Sequence, residues 1–150
     1  MRPPVRVLGV DHGEKRIGIA VSDETGTIAA PLTIIRHVSK AEDAARVLDL
    51  VQTKGVGRIV VGESTDEAGL PNLSGLRAIR FAELLKSKTD VPVLFWDESL
   101  SSQDARARRI AAGARRKKRA SPVDALAAAV MLQSYLDSLG QQDAPSPGAE

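Results

Sequence analysis

The chain of 150 residues contains no cysteine, which excludes disulfides, thiolate metal sites and cysteine nucleophiles together. Aromatic residues make up only 3% of the sequence, so stacking platforms for nucleic-acid bases are not evident. No apolar run approaches the roughly 20 residues of a membrane-spanning helix. The apolar stretch near the N-terminus stops at Asp11, too early for a signal peptide. We therefore expect a cytoplasmic protein with no membrane partner.

The composition that remains is typical of a globular domain, with 43% hydrophobic and 27% charged residues. We expect one domain over residues 1–138, large enough to bury a core, followed by a disordered polar tail over 139–150. The net charge of +2 is unevenly distributed, because segment 105–122, ARARRIAAGARRKKRASP, holds eight of the 21 basic residues and no acid. Such a local positive field favours a nucleic-acid partner, although a solvated helix end is the simpler alternative.

The hydrophobic pattern predicts strands over 5–10, 16–22, 28–37, 57–62 and 91–96, and helices over 39–55, 73–89, 101–113 and 121–140. Ser39 is the expected N-cap of the first helix and Gly55 its stop, and Pro31 suits a strand at a sheet edge. Three consecutive strands followed by alternating helices and strands imply an α/β fold, with a mixed sheet and helices on both faces. In such sheets, ligands bind at the carboxyl ends of parallel strands.

Acidic residues are placed at these strand ends. Asp11 ends the first strand, Glu63 follows the fourth, Asp97 and Glu98 follow the fifth, and Asp124 lies in the first turn of the last helix. Clustered carboxylates repel unless a cation binds among them, and oxygen-only ligands suit Mg²⁺ or Mn²⁺. Two such ions can stabilise the attacking and leaving oxygens of a phosphodiester. The pattern therefore predicts a metal-dependent nuclease.

Some of these acids could have simpler roles that involve no metal ion. Asp124 could serve only the dipole of its helix, and Glu63 could be merely solvated. Asp97 and Glu98 are adjacent, so in an extended chain they point to opposite faces and only one is expected to face the metal.

Four stretches of the sequence occur in the order GVDHGEKRIGIAVSD, RIVVG, DESL and SPVDALAAAVMLQSYL. In their composition and order they resemble motifs of the YqgF/RuvX family. Members of this family are ribonuclease H-like Holliday-junction resolvases, also described as pre-ribosomal-RNA nucleases. The resemblance covers about residues 5–138. It implies a ribonuclease H-like fold whose five-stranded sheet has the order 3-2-1-4-5. It also implies that Asp11, Glu98 and Asp124 are the catalytic, metal-binding acids.

Two departures from the family pattern stand out. The arginine that follows the family's glutamate is Ser99 here, and the loop after VVG reads ESTDEAG. The second departure places Glu63 on the strand beside Asp11, and we hypothesise that Glu63 joins or tunes the metal site. Asp97 is a further candidate ligand.

Nucleic-acid contacts are expected from two groups of cations. Lys15 and Arg16 follow the first acid, and the basic segment contributes Arg106, Arg109, Arg115, Arg116, Lys117, Lys118 and Arg119. The sequence leaves open whether the substrate is branched or single-stranded DNA or a ribosomal RNA precursor, and whether the protein forms a homodimer that cuts symmetrically.

Two other functions compete with the nuclease. A non-catalytic module could bind ribosomal RNA through residues 106–119 without using the acids. A phosphate-binding ATPase or sugar kinase would need a second, similar domain, for which this chain is too short.

Overall fold

The computed structural model describes residues 5–13, 15–63, 73–97 and 123–143. Five strands, each within two residues of its predicted bounds, form one sheet: β1 (Arg6–His12), β2 (Arg16–Ser22), β3 (Ala29–Arg36), β4 (Val56–Glu63) and β5 (Val93–Asp97). The helices in these ranges are α1 (Lys40–Thr53), α2 (Leu73–Lys88) and α3 (Val123–Asp143). None of them is long and apolar enough to cross a membrane. The helix predicted over 101–113 lies outside the described residues.

The strand order is β3-β2-β1-β4-β5, which confirms the predicted mixed α/β sheet. β2 pairs antiparallel with β1 and β3, whereas β4 pairs parallel with β1 and β5. Pro31 lies in β3, at the sheet edge, as its missing N–H requires. Because β1, β3, β4 and β5 run in the same direction, their carboxyl ends meet along one edge, which we call the carboxyl rim.

Each face of the sheet has its own core because side chains alternate along a strand. On the α1–α2 face, Leu8, Val10 and Val61 pack with side chains such as Val47 of α1 and Phe81 of α2. On the α3 face, the partners of α3 are smaller and include Val7, Ala20, Ala29 and Val60. The position of a strand residue in this alternation therefore decides which helices it meets.

Helix α3 lies unusually close to the sheet at Gly9. A Cβ atom added to Gly9 would stand 2.9 Å from the Cβ of Leu132, so no larger residue fits without moving the helix. Farther along α3, the Gln133 side chain accepts from the Ala29 amide at 2.9 Å and donates to the Thr27 carbonyl at 3.0 Å. Gln133 thus joins the middle of α3 to the end of β3 that lies away from the carboxyl rim.

The C-terminal boundary differs from the expected one. Helix α3 continues to Asp143, five residues into the segment 139–150 that we expected to be a disordered tail. Residues 144–150 lie outside the described residues. The helix therefore begins two residues later and ends three residues later than the predicted range 121–140.

A buried carboxylate joins β3 to α1. The hydroxyl of Ser39 caps the helix as predicted, by accepting from the Glu42 amide at 3.1 Å. Asp43, in the first turn, is only 1% exposed. One of its oxygens accepts from the Val38 amide at 3.0 Å and the other from Nδ1–H of His37. A desolvated carboxylate is stable only when it is satisfied in this way, so these bonds hold the end of β3 against the start of α1.

Replacing Asp43 should destabilise the fold more than any exposed acid of α1. We expect Asp43→Ala to lower the free energy of unfolding by about 2–3 kcal/mol, because the amide of Val38 and the ring of His37 lose a charged acceptor. Urea denaturation followed by circular dichroism measures the change. The matched control is Asp49→Ala on the exposed side of the same helix, with an expected change within about 0.5 kcal/mol. Equal effects of the two substitutions would contradict the structural role of Asp43.

Candidate active site at the carboxyl rim

Asp11 lies near the end of β1, where the chain approaches the carboxyl rim. It lies two residues after Gly9 and four after Val7, so it is on the same face of β1 as these residues, which is the α3 face. Its side chain is half-buried. Its partner in β2 is Gly18. In β4, Gly62 follows Val61, the partner of Val10. Glycines thus stand at the positions beside Asp11 on both neighbouring strands, so these two positions place no side chain against the carboxylate.

Glu63 and Asp97 end adjacent strands and are directly paired in the sheet register. The structure therefore brings their positions to the same rim as Asp11, and β4 lies beside β1 as the sequence predicted. However, positions 63 and 97 come two residues after Val61 and Phe95, so they lie on the same face of the sheet as these residues. Val61 and Phe95 belong to the core of the α1–α2 face. Asp11 and these two positions thus lie on opposite faces of the sheet, a distinction that strand adjacency alone does not reveal.

Asp124 is the second residue of α3 and precedes Leu132, the neighbour of Gly9, by about 12 Å of helix. Leu132 packs on Gly9 and Gln133 is bonded to Thr27 and Ala29, so α3 covers the face of the sheet on which Asp11 lies. Glu98 lies outside the described residues, two positions after Trp96. The Trp96 indole donates to Ser134 of α3 at 2.9 Å, so this row of β5 faces α3.

The acids assigned by the family resemblance suit a hard cation, since all three offer only carboxylate oxygens. Within the described ranges, no three histidine, aspartate or glutamate side chains stand close enough together to hold a metal ion. Asp11 is the one member of the set Asp11, Glu98 and Asp124 whose side chain is described. The metal-binding roles of these residues, and those of Glu63 and Asp97, stay predictions.

His12, the residue after Asp11, lies on the opposite face. Its ring packs against Phe81 of α2 with the ring centroids 4.8 Å apart. Its Nδ1 atom is buried and has no hydrogen-bond partner in the described chain. Burial lowers the pKa of His12, the charges of His37, Arg77 and Lys40 lower it further, and Asp43 opposes them. His12 therefore favours its neutral form and helps to fix the rim against α2.

Lys15 and Arg16 lie at the turn between β1 and β2, and both are exposed. The carbonyl of Lys15 accepts from the amide of His37 at 2.9 Å, which ties this turn to the end of β3. Arg16 pairs across the strands with Arg36, and its alternation with Gly18 places it on the face of Asp11. Arg16 thus lies on the face of Asp11, and the phosphate contacts of Lys15 and Arg16 stay predictions. The basic residues 106–119 lie outside the described residues.

The sequence reasoning missed the charged groups that act on the pKa of His12, which are Asp43, His37, Arg77 and Lys40. One signal for them is present in α1. Asp43 stands four residues before Val47 and eight before Val51, so an acid occupies the stripe of the helix that faces the core. An acid on an apolar stripe indicates a buried partner, although it does not identify that partner as His37.

Comparison with known proteins points to one family. The family model described as "RuvX: Holliday junction resolvase" matches residues 5–138. A protein of Syntrophus aciditrophicus named "Putative pre-16S rRNA nuclease" is 38% identical over 146 residues, which is 97% of each chain. A protein of the same name from Caldanaerobacter subterraneus is 41% identical over 136 residues, covering 89% of this chain and 97% of the relative.

Solved structures share the fold at much lower sequence identity. Thermus thermophilus RuvC superposes with a TM-score of 0.62 at 17% identity, covering 90% of this chain and 96% of RuvC. The fowlpox virus Holliday junction resolvase superposes with a TM-score of 0.54 at 15% identity, covering 89% of this chain and 99% of the viral chain. The ribonuclease H-like architecture expected from the sequence is thereby confirmed.

Proposed function

The chain belongs to the RuvX family, and from this premise we propose that it is a metal-dependent nuclease that hydrolyses phosphodiester bonds in structured nucleic acid. The observation that carries the proposal is the placement of Asp11. A half-buried carboxylate, flanked by Gly18 and Gly62 on the neighbouring strands, ends a strand on the face that α3 covers. A carboxylate held half-buried at the end of a strand suits a cation, which lowers the cost of keeping the charge there.

In this proposal, Asp11, Glu98 and Asp124 hold Mg²⁺ or Mn²⁺. When bound, the ions supply positive charge to the attacking and leaving oxygens of the phosphodiester. Lys15 and Arg16 hold the phosphate beside the bond that is cut, and the basic segment 106–119 holds phosphates farther along the strand. Glu63 and Asp97, at positions of the other face, are assigned a tuning role.

The substrate we place first is a precursor of 16S ribosomal RNA, because that is the substrate in the names of the sequence relatives. Branched DNA comes second, since the family description and the structural relatives refer to Holliday junctions. We place the activity in the cytoplasm. A homodimer would suit a two-fold symmetric junction, and a monomer would suit RNA trimming.

The direct test offers the purified protein labelled substrates in Mn²⁺ and, separately, in Mg²⁺. The substrates are a four-way DNA junction, single-stranded DNA, and an RNA that carries a 16S precursor end. We expect cleavage of at least one of them, fastest for the RNA, and none in EDTA. Binding to every substrate without cleavage in either metal would overturn the nuclease and support the non-catalytic RNA-binding module instead.

A further inference from the structure

Polar side chains in the middle of α3 attach the helix to both edges of the described sheet. On one side, the Gln133 side chain accepts from the amide of Ala29 at the start of β3. On the other side, the hydroxyl of Ser134 accepts from the indole N–H of Trp96 in β5 at 2.9 Å. Because β3 and β5 are the outermost strands, two consecutive residues of α3 hold the helix across the width of the sheet.

Tyr135 adds a second set of contacts on the side of Trp96. Its ring meets the indole edge to face, with the ring centroids 5.6 Å apart and the planes inclined by 77°. Its hydroxyl accepts from the guanidinium of Arg58 in β4 at 3.2 Å. Ser134 and Tyr135 are both buried, so their bonds are shielded from water. Trp96 and Arg58 thereby join β5 and β4 to the same turn of α3.

The first turns of α3 depend on these attachments because their own buried side chains are small. After Asp124, the buried residues of the first two turns are Ala125, Ala128 and Ala129. Methyl groups let a helix approach a sheet closely, but they form shallow ridges that interlock less than larger side chains do. The bonds made by residues 133–135 therefore help to fix where α3 begins relative to the sheet.

Trp96 also stands in line with Asp11. Val61 is the partner of Val10, and Gly62 is the partner of Trp96, so positions 11, 62 and 96 form one row across β1, β4 and β5. Neighbouring strands lie about 4.8 Å apart, which puts the backbone of Trp96 about 10 Å from that of Asp11. Trp96 packs with the core of the α3 face, which is the face of Asp11. The residue that holds α3 at this edge thus belongs to the row of the candidate metal ligand.

We propose that Trp96 is a positioning residue of the metal site, because its bond to Ser134 holds α3 in place relative to Asp11. The inference rests on the proposed function, in which Asp124 at the start of α3 and Glu98 after β5 complete the site. Ser134 lies ten residues after Asp124, about 15 Å along the helix, so a shift of α3 at Ser134 also displaces its first turn. Trp96 touches neither metal nor substrate and acts through the helix that it holds.

The test uses single variants that each remove one half of the bond. Trp96→Phe keeps an aromatic ring but removes the indole N–H, and Ser134→Ala removes the hydroxyl that accepts from it. The matched control is Ser138→Ala, which removes the same hydroxyl one turn later, where it donates to the carbonyl of Tyr135 in its own helix at 2.7 Å. Single-turnover cleavage, Mg²⁺ and Mn²⁺ binding by calorimetry, and RNA affinity in EDTA are measured below the onset of thermal unfolding of each variant.

We expect Trp96→Phe and Ser134→Ala each to lower cleavage about tenfold to a hundredfold, since a displacement of about 1 Å costs about a hundredfold in rate. Metal binding should weaken in the same two variants, and RNA affinity should keep its wild-type value. Ser134→Ala should have no further effect in a chain that already carries Trp96→Phe, because both changes break the same bond. Wild-type cleavage by either single variant, additive losses in the double variant, or an equal loss in Ser138→Ala would each overturn the positioning role.

Trp96 is the single tryptophan of the chain, so intrinsic fluorescence reports directly on this contact. Titration of the wild type with Mg²⁺ should change the emission with the affinity that calorimetry gives, and Asp11→Asn should abolish the change. Metal binding without a change in emission would overturn the positioning role. A change in emission in a protein that cuts no substrate would support that role and overturn the nuclease. Cleavage that survives the loss of the bond would overturn the role and leave the nuclease standing.

Discussion

Asp11→Asn should lower the rate of cleavage about a thousandfold while the protein stays folded and still binds nucleic acid. The amide keeps the shape of the side chain but removes its negative charge, which is the property that we assign to metal binding. Stabilisation of several kcal/mol at the reacting phosphate would then be lost, and about 4 kcal/mol corresponds to a factor of a thousand in rate.

The experiment measures single-turnover cleavage of the substrate that the wild type cuts fastest, with both proteins purified identically. Binding of Mn²⁺, followed by isothermal titration calorimetry, gives a second readout and should weaken in the variant. Affinity for RNA in EDTA should change less than threefold, because Asp11 is not assigned to phosphate binding. A variant that cleaves at the wild-type rate would show that Asp11 is not part of the chemistry.

Glu98→Gln and Glu63→Gln should have very different effects, although Glu63 ends β4 and Glu98 comes directly after β5 in the sequence. We expect Glu98→Gln to lower cleavage by about a hundredfold to a thousandfold, the cost of removing one charged group from the reacting centre. Glu63→Gln should change it less than about threefold. The physical reason is the alternation along β4, which places position 63 with Val61 on the α1–α2 face, away from Asp11. Glu98, in contrast, is one of the acids that the family resemblance assigns to the metal.

Both variants remove one negative charge and keep the length of the side chain, so each is the matched control of the other. They are compared in the same single-turnover assay and by Mn²⁺ titration. A loss for Glu63→Gln as large as that for Glu98→Gln would place Glu63 among the ligands, as its position beside Asp11 first suggested. The alternation argument would then be wrong at the ends of β4 and β5.

The sheet could be predicted from the sequence because its signals are local. Each strand is a short apolar run that is bounded by turn residues, and Pro31 marks an edge. The strand order was predicted from the family resemblance and not from the residues of each strand. The sequence alone does not show on which face of the sheet each acid lies, because that depends on the register of the paired strands. Val10 pairs with Val61, and this single match decides that Asp11 and Glu63 belong to opposite sides.

The charged groups that act on His12 could not be predicted in the same way. Lys40 and Arg77 are separated by 37 positions in the sequence, and both act on His12 only because α1 and α2 both begin at the carboxyl rim. Their proximity is a property of the folded chain. The partner of Asp43 illustrates the same limit, since an acid on the apolar stripe of α1 reveals that a contact exists but not which residue makes it.

The contact between Gly9 and Leu132 has a consequence for how this protein can evolve or be redesigned. The obstruction to any side chain at position 9 is the Cβ atom of Leu132, which every residue except glycine possesses. Trimming Leu132 to alanine would therefore not make room. Glycine there would, but it would remove a fully buried leucine side chain and weaken the helix by about a further 1 kcal/mol. Substitution libraries at position 9 should thus return glycine wherever position 132 keeps a side chain.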